Sequence, residues 1–171
     1  MSKIITCVAT LMLVEEGRYN LDDPVAKYLP ELKEVKVWTG GTADAPQTEP
    51  LKRPITIKHL MTHTSGLFYD FSAAKPELVK MWRDADLWSG SSLTNFIIRL
   101  AKLPLQHQPG DTYTYGINQD VQGAVIERVT GKTFGAFLEE RIFRPLGMKD
   151  TGFDVPPEKM NRLAKTYKHG P

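Results

Sequence analysis

One segment of the sequence places a serine and a lysine three residues apart, a spacing suited to nucleophilic catalysis. In Ser72-Ala73-Ala74-Lys75, a helical backbone would bring the hydroxyl and the amine to one face, where the amine could accept the serine proton. Pro76 follows directly, however, and the residue before a proline is biased away from helical geometry. Because the surrounding residues also have the composition of a loop, we do not expect this pair to form a catalytic site.

Two further patterns suggest metal or phosphate chemistry but lack residues that such sites need. His59 and His63 are four residues apart, a spacing that can chelate zinc, yet Leu60 stands where the zinc-protease motif has glutamate. We expect the two histidines to make local hydrogen bonds at the end of a helix. Gly131-Lys132-Thr133 is similar to the end of a phosphate-binding loop, but the first glycine of that motif would fall on Ile126. The sequence therefore predicts neither a metal site nor a phosphate site.

Composition and charge limit the classes of function. The 171 residues are 41% hydrophobic and 25% charged, which is typical of one globular domain. A net charge of +2, spread along the chain, does not indicate a nucleic-acid partner or an acidic membrane surface. The single cysteine, Cys7, cannot form an internal disulfide. The apolar residues 4–14 are too few to span a bilayer and lack a signal-peptide cleavage site, which favours a cytoplasmic location.

The elements that would position such residues are mainly helices, as hydrophobic periodicity and capping residues indicate. The first helix covers residues 3–16 and is apolar on every side, so we expect it to be buried all round and to end at Gly17. Residues 39–54 and 68–90 are expected to be loops, and convincing strands are few. Further helices are predicted after Asp23-Pro24 (closed by Pro30), after Thr56, after Ser91 or Ser92, over residues 118–129 up to Gly131, and after Thr133.

Six segments in a fixed order carry a resemblance to a known family. They are Met1-Ser2-Lys3 before an apolar helix, Leu21-Asp22-Asp23-Pro24-Val25, residues 55–67 with His63-Thr64-Ser65-Gly66, Pro109-Gly110 with Tyr113-Thr114-Tyr115, residues 123–131, and residues 142–151. Together they extend over nearly the whole chain. In these segments the sequence resembles the class C serine β-lactamases, the D-Ala-D-Ala peptidases and their esterase and acyltransferase relatives.

The resemblance implies a catalytic role for Lys3. The family's first motif is S-x-x-K at the start of a buried helix, commonly S-M-S-K, and Met1-Ser2-Lys3 is similar to its last three residues. Lys3 would be the base or the electrostatic partner of a serine that becomes acylated. That nucleophile is expected immediately before Met1, and Ser2 cannot replace it because neighbouring helical side chains diverge by roughly 100°. The alternative is a solvated lysine near a terminus.

A second motif of the family supplies a tyrosine that can relay a proton to the leaving group, and Tyr115 matches it. The alternative is a tyrosine that packs under a turn. β-Lactamases have asparagine where this chain has Ile117, and the step from Tyr115 to Gly123, with Asp120 between them, resembles the esterase and acyltransferase side. Tyr69 follows a segment that lies close to the cleft in relatives, so it is a candidate for substrate binding or for plain packing.

The resemblance implies an α+β, β-lactamase/transpeptidase-like fold, of which residues 1–171 would be a partial domain, mainly its helical region. The third motif, K-T-G or H-x-G on a strand, has no match after Met148, so we expect most of the antiparallel sheet to be missing at both ends. The expected function is part of a serine esterase or acyltransferase that is inactive alone. Its substrates would be small esters or thioesters, and then amides such as β-lactams and D-Ala peptides. No metal, organic cofactor, nucleic acid or membrane is implied.

A different class of function is a short non-catalytic interaction protein, or a degraded gene product of the same family. In the family fold the helical region packs on a sheet built from both chain ends. A chain without those ends is expected to expose the apolar face that covers the sheet, and to be poorly soluble or dependent on a partner. Serine-dependent ester hydrolysis by this chain would contradict the expectation that its nucleophile is missing. The oligomeric state stays open.

Overall fold

In the computed structural model, which describes residues 2–90 and 92–167, the chain is mainly helical. The α-helices of this part of the chain are α1 (Ser2–Glu15), α2 (Ile57–Met61), α3 (Pro76–Asp84), α4 (Leu93–Leu100), α5 (Asn118–Thr130) and α6 (Phe134–Leu138). Strands β1 (Val37–Gly41) and β2 (Pro46–Glu49) form an antiparallel hairpin, the one sheet of the described residues. Single turns of 3-10 helix lie at Val25–Lys27, Pro30–Leu32 and Asp70–Ser72, a longer one at Pro157–Arg162, and a π-helical turn at Glu139–Phe143 follows α6. None of the helices in the described ranges has the length and apolar character needed to cross a membrane.

Helix α5 is the centre of the packing, because α1, α2, α4 and α6 all contact it. Its apolar side chains Val121, Val125 and Ile126 are almost completely buried. Gly123 allows the Phe134 ring to approach closely, since a Cβ there would lie 3.0 Å from Phe134 Cδ1. Surrounded in this way, α5 also buries polar residues. These are Asn118, Gln119 and Gln122.

Helix α1 is buried on one face only, which corrects the expectation that it is buried all round. Its buried residues are Thr6, Ala9, Thr10 and Leu13. Three apolar residues with the spacing of one helix face are instead exposed, Ile4 by 72%, Val8 by 43% and Leu11 by 42%. The resemblance predicts that the helical region exposes an apolar face, and the exposed residues Ile4, Val8 and Leu11 form such a face on α1.

Capping residues set several helix ends as the sequence predicts. Gly17 and Gly131 end α1 and α5 with φ angles of 68° and 69°, in the left-handed region that glycine tolerates. Thr56, Ser92 and Thr133 each accept a hydrogen bond from the backbone N–H three residues later, at the starts of α2, α4 and α6. Ser91, the other candidate cap for α4, lies outside the described residues.

The segments predicted to be loops contain regular structure. Most of the β1–β2 hairpin lies within residues 39–54, where the strands pair Gly40 with Gln47 and Gly41 with Pro46. Gly41 has a φ of 85°, and a Cβ there would lie 2.4 Å from Ala45 O, so the turn requires glycine. Glycine marks a tight hairpin here rather than an irregular loop.

Prolines also open turns of helix that the sequence analysis did not assign. Pro76 is the first residue of α3, where its missing N–H is not needed, so residues 68–90 are partly helical. Pro30 begins a 3-10 turn instead of closing the preceding one. The short helix predicted after Asp23-Pro24 is a single turn of 3-10 helix, and the Asp23 side chain does not cap it. The Asp23 carboxylate accepts hydrogen bonds from Asn20 N and from the Tyr28 hydroxyl instead.

Candidate functional site

The beginning of α1 meets the loop before α5 at Lys3 and Tyr115, the two residues that the resemblance implies are catalytic. The ammonium nitrogen of Lys3 lies over the Tyr115 ring, 4.7 Å from its centroid, in a cation–π contact. Lys3 is half-buried and Tyr115 is 36% exposed. The structure therefore brings together two residues that are far apart in the sequence. The predicted serine position, immediately before Met1, lies outside the described residues.

The backbone around Tyr115 is held by the segment that follows α2. Thr114 N donates a hydrogen bond to His63 O over 2.8 Å. Gly116 packs directly on Leu67, because a Cβ on Gly116 would lie 2.3 Å from the Leu67 carbonyl oxygen. The Ser72 hydroxyl donates to the Tyr115 carbonyl oxygen over 2.6 Å. Contacts on both sides thus fix the backbone from which the Tyr115 side chain projects.

The Ser72–Lys75 segment contributes the Ser72 hydroxyl to this region, where it contacts the Tyr115 carbonyl oxygen and accepts a hydrogen bond from Tyr69 N. Lys75 has φ −137° and ψ 141°, and α3 begins only at the next residue. No helical turn joins Ser72 to Lys75, which confirms that this literal S-x-x-K does not bring its serine and lysine to one helix face.

His63 lies beside Tyr115, and the sequence analysis did not assign it to the site. The two rings are stacked, with centroids 5.2 Å apart and an angle of 20° between their planes. His63 Nδ1 accepts a hydrogen bond from Gly116 N at 3.2 Å and lies 2.9 Å from Asn118 Nδ2. Its Nε2 lies 3.4 Å from the side-chain amide of Gln119. The imidazole therefore links the loop that carries Tyr115 to the first turn of α5.

The expectation of local hydrogen bonds is right for one of the two histidines and wrong for the other. His59 Nδ1 accepts from Thr56 N at 3.2 Å and so completes the cap of α2. His63 instead takes a left-handed backbone conformation, φ 55°, that turns it away from the helix and toward α5. Its position in the His63-Thr64-Ser65-Gly66 part of the resemblance is the signal that could have indicated its place.

A buried chain of polar side chains extends on both sides of His63. Toward α1, the Gln119 amide lies 2.8 Å from the Gln122 amide, which lies 2.9 Å from the Thr10 hydroxyl. On the other side, the Ser65 hydroxyl donates to Asn118 Oδ1 and accepts from Leu67 N. Because buried polar groups are costly when unpaired, this chain constrains how α1, α5 and the His63 segment can pack.

An aromatic cluster covers the outer side of Tyr115. The Tyr69 ring centroid lies 5.6 Å from that of Tyr115 and 5.0 Å from that of Phe71, which is 74% exposed. Burial, and then the negative charge of Asp120, raise the pKa of Tyr69 to about 12. Tyr69 is thus a neutral hydrogen-bonding side chain next to Tyr115, where the sequence analysis placed a candidate for substrate binding.

Two titratable groups respond to the charge of Lys3. Burial, assisted by the Lys3 ammonium, lowers the pKa of His63 below its usual value, which favours a neutral imidazole. Burial raises the pKa of Asp120, while the nearby Lys3 charge opposes that rise.

Across residues 2–90 and 92–167, no group of three or more histidine, cysteine, aspartate or glutamate side chains is arranged to hold a metal ion.

A cavity of about 550 Å³ opens beside the beginning of α1, next to Asp120. Its polar wall includes Ser2, Gln119 and Asp120, and its apolar walls come from α1, α4, α6 and the segment after the π-helical turn. The apolar lining residues are Ile5, Leu93, Phe134, Leu138, Phe143 and Phe153. This space can take an apolar group and also offers polar atoms in its lining.

The comparison with known protein families decides the kinship. A family model described as Beta-lactamase matches residues 1–171. The chain belongs to the Beta-lactamase family. Among its relatives in this family is lovastatin esterase from Penicillium rubens, which is 40% identical over 153 residues, covering 89% of this chain and 38% of that protein.

Solved structures confirm the fold expected of a Beta-lactamase family member. Simvastatin synthase from Aspergillus terreus, unliganded, matches with a TM-score of 0.78 and 33% identity over 94% of this chain and 41% of that one. A penicillin binding protein from Bacillus halodurans matches with a TM-score of 0.66 and 28% identity, covering 92% and 44% of the two chains. The fold is the predicted β-lactamase/transpeptidase-like α+β fold, represented here mainly by its helical region. The chain spans about two fifths of the length of these relatives.

In this member of the Beta-lactamase family, the predicted site residues that lie within the described part of the chain meet at one place. Lys3, Tyr115 and Tyr69 form a continuous set of contacts at the beginnings of α1 and α5. His63 and Asp120 adjoin that set, and the sequence analysis gave neither of them a role in catalysis.

Proposed function

We propose that this chain is the helical part of a serine esterase or acyltransferase that works through an acyl-serine intermediate. The contact that supports the proposal is that of Lys3 Nζ with the Tyr115 ring, 4.7 Å from its centroid, at the beginning of α1. Residues three apart on a helix share a face, so a serine three positions before Lys3 would project toward the same place. Lysine, tyrosine and the proposed serine then meet at one point.

In the proposed reaction the serine oxygen attacks the carbonyl carbon of an ester. Its proton passes to the neutral amine form of Lys3 or to the phenolate form of Tyr115, and Tyr115 delivers a proton to the departing alcohol as the carbon–oxygen bond breaks. Water or an acceptor alcohol then attacks the acyl-serine, which gives hydrolysis or acyl transfer. The positive charge of Lys3 also stabilises the negative charge that develops on oxygen in this step.

The surroundings of Tyr115 favour esters or thioesters over β-lactams. Ile117, at the position where β-lactamases have asparagine, is completely buried and offers no polar contact to a substrate. The 550 Å³ cavity next to Asp120 has the apolar walls that would suit an acyl group. Tyr69, half-buried beside Tyr115, would border the bound substrate and is the proposed binding residue.

The first experiment is to read the codons upstream of Met1 and to produce the longer protein if they continue the frame. A serine codon directly before Met1 is the expected result. The longer protein should hydrolyse p-nitrophenyl butyrate, and we expect Lys3→Ala and Tyr115→Phe each to lower kcat/KM by about 10²–10⁴-fold, the range for a lost proton-transfer group. Lys102→Ala and Tyr167→Phe change exposed residues that make none of the contacts described for Lys3, Tyr69 and Tyr115, and they serve as matched controls.

The 171-residue chain alone should neither hydrolyse this ester nor react with a fluorophosphonate probe for activated serines. Serine-dependent turnover by this chain would contradict the proposed position of the nucleophile. Full activity of the longer protein carrying Lys3→Ala would contradict the proposed role of Lys3.

The exposed stripe of α1, formed by Ile4, Val8 and Leu11, favours a second candidate function. A chain without a nucleophile could bind another polypeptide through this surface instead of catalysing a reaction. A stop codon or a residue other than serine directly before Met1 would support this candidate and would rule out the acyl-serine proposal.

A further inference from the structure

His63 is nearly buried, 8% exposed, and it is the one described histidine whose two ring nitrogens both approach residues of the segment 116–119. It also stacks on Tyr115, with ring centroids 5.2 Å apart. A side chain in this position can control where the Tyr115 ring lies without itself touching a substrate. The hydrogen-bond partners of the ring decide which of its nitrogens carries a proton.

Two donors point at the same ring nitrogen. The Gly116 N–H is a backbone donor that cannot reverse, and its nitrogen lies 3.2 Å from His63 Nδ1. The Asn118 side-chain NH₂ lies 2.9 Å from the same atom, and its orientation is set because Asn118 Oδ1 accepts from the Ser65 hydroxyl. A proton on Nδ1 would face both donors, so Nδ1 has to be unprotonated.

We propose that His63 is the positioning residue for Tyr115, acting as a neutral imidazole that carries its proton on Nε2. Its Nδ1 accepts a hydrogen bond from the backbone N–H of Gly116, the residue after Tyr115. Its ring stacks on the Tyr115 ring and so holds that ring in place. The role given to Tyr115 rests on the proposed function, whereas the protonation of His63 does not. The nearby positive charge of Lys3 also disfavours a charged imidazolium here.

The proton on Nε2 then orients the buried polar chain toward α1. It needs an acceptor, and the Gln119 amide, 3.4 Å away, provides one if its oxygen faces His63. An amide presents its oxygen and NH₂ at nearly equivalent positions, so its neighbours decide which end faces which group. With the Gln119 oxygen facing His63, both amides are reversed relative to the arrangement in which the Gln122 NH₂ donates to Gln119 Oε1 and the Thr10 hydroxyl donates to Gln122 Oε1. The Gln119 NH₂ then donates to Gln122 Oε1, and the Gln122 NH₂ donates to the Thr10 hydroxyl oxygen. The form of His63 thus orders a line of donors that reaches α1.

The first test reads the protonation of His63 directly in the ¹⁵N-labelled 171-residue chain. Long-range ¹H–¹⁵N correlation at pH 7 should show an unprotonated Nδ1 and a protonated Nε2. The His63→Asn variant assigns the signal by its disappearance. A protonated Nδ1, in the neutral or the charged ring, would overturn the proposal whether or not the protein has activity.

Two variants separate the hydrogen bond of His63 from its stacking. His63→Asn keeps an acceptor at the δ position and a residue that tolerates φ 55°, but it removes the ring. His63→Phe keeps a ring and removes both nitrogens. We expect the Gly116 amide to exchange at least about tenfold faster in the Phe variant and to stay protected in the Asn variant, because only the former loses a buried hydrogen-bond partner.

The position of Tyr115 is read by the nuclear Overhauser effect between the Lys3 ε-methylene and the Tyr115 ring. This effect should weaken in the Asn variant, which lacks the stacking ring, while the Gly131 amide at the far end of α5 keeps its chemical shift. An unchanged effect in both variants would overturn the positioning role. If the predicted protonation and the loss of the effect are found but the longer protein has no esterase activity, the proposed function fails and the positioning role stands.

Discussion

The two faces of α1 have opposite surroundings. One face packs on α5 and buries Thr6, Ala9, Thr10 and Leu13, each 4% exposed or less. The other presents Ile4, Val8 and Leu11 to solvent. An apolar side chain on this helix is therefore stabilising only where α5 or its neighbours supply a partner surface.

The buried face is also the more polar of the two, so in this helix the more hydrophobic side chains are not the ones that are buried. Thr10 is 1% exposed, and its hydroxyl lies 2.9 Å from the Gln122 amide. That contact begins the polar chain that leads through Gln119 to His63 and so to Tyr115. The buried face thus connects the first helix to the candidate site, and the exposed face makes no such connection within the described residues.

The largest expected difference between the two faces is in the free energy of unfolding. Two leucines that lie two residues apart, one on each face, measure it. Leu13 is completely buried and Leu11 is 42% exposed. Leu13→Ala should lower the free energy of unfolding by about 2–5 kcal/mol, the range for a buried leucine that leaves a cavity. Leu11→Ala should change it by less than about 0.5 kcal/mol, because surface substitutions rarely do more.

Urea unfolding followed by circular dichroism measures both leucine variants under one condition. If Leu11→Ala destabilises the fold as much as Leu13→Ala, Leu11 is covered in solution. That result would contradict the difference in burial between the two faces. Concentration-dependent stability of the unmodified chain would show that a second copy provides the cover.

The polar part of the buried face predicts a smaller effect. Thr10→Val has nearly the same shape but leaves the Gln122 amide without its partner, which should cost about 1–3 kcal/mol. Thr10→Ser keeps the hydroxyl and should cost clearly less. The same urea titrations measure both. A neutral Thr10→Val would mean that Gln122 finds another partner, and the chain to His63 would then not depend on α1.

Local signals in the sequence predicted the helices and their ends well. Gly17, Thr56, Ser92, Thr133 and Gly131 act where predicted, because capping depends on one residue and its nearest backbone. The proline and glycine signals were less informative. Both residue types mark a change of backbone direction, and a hairpin or a new helix satisfies them as well as a loop does.

Contacts between distant segments set the limit of the sequence-based site prediction. Lys3 and Tyr115 were assigned through the family resemblance, because no local pattern joins residues so far apart. His63 could not be assigned from its spacing to His59, since its left-handed backbone points it at Gly116 and Asn118 instead of along α2. The sequence of α1 likewise did not show which of its faces is buried, because only the tertiary structure decides which face meets α5.

The smallest expected effect on stability comes from an exposed ion pair at the end of α1. The Glu16 carboxylate follows α1 and is hydrogen-bonded to the Arg141 guanidinium, which lowers the pKa of Glu16 below its usual value. A carboxyl group with a lowered folded-state pKa stabilises the fold above its unfolded pKa of about 4.3 and loses that contribution as the pH falls through the folded value. Glu16→Gln should therefore cost up to about 1 kcal/mol at pH 7 and progressively less below about pH 4.

The matched control for this pair is Glu15→Gln, since Glu15 is the neighbouring exposed carboxylate and has no ion pair within the described residues. Thermal unfolding of both variants and the unmodified chain between pH 2 and 7 gives the comparison. The gap between Glu16→Gln and the unmodified chain should close as the pH falls, whereas Glu15→Gln should stay close to the unmodified chain throughout. A gap that persists at pH 2 would mean that Glu16 joins α1 to the π-helical turn by packing instead of charge, and the solvent side of α1 would then contribute to the fold in the same way as its buried face.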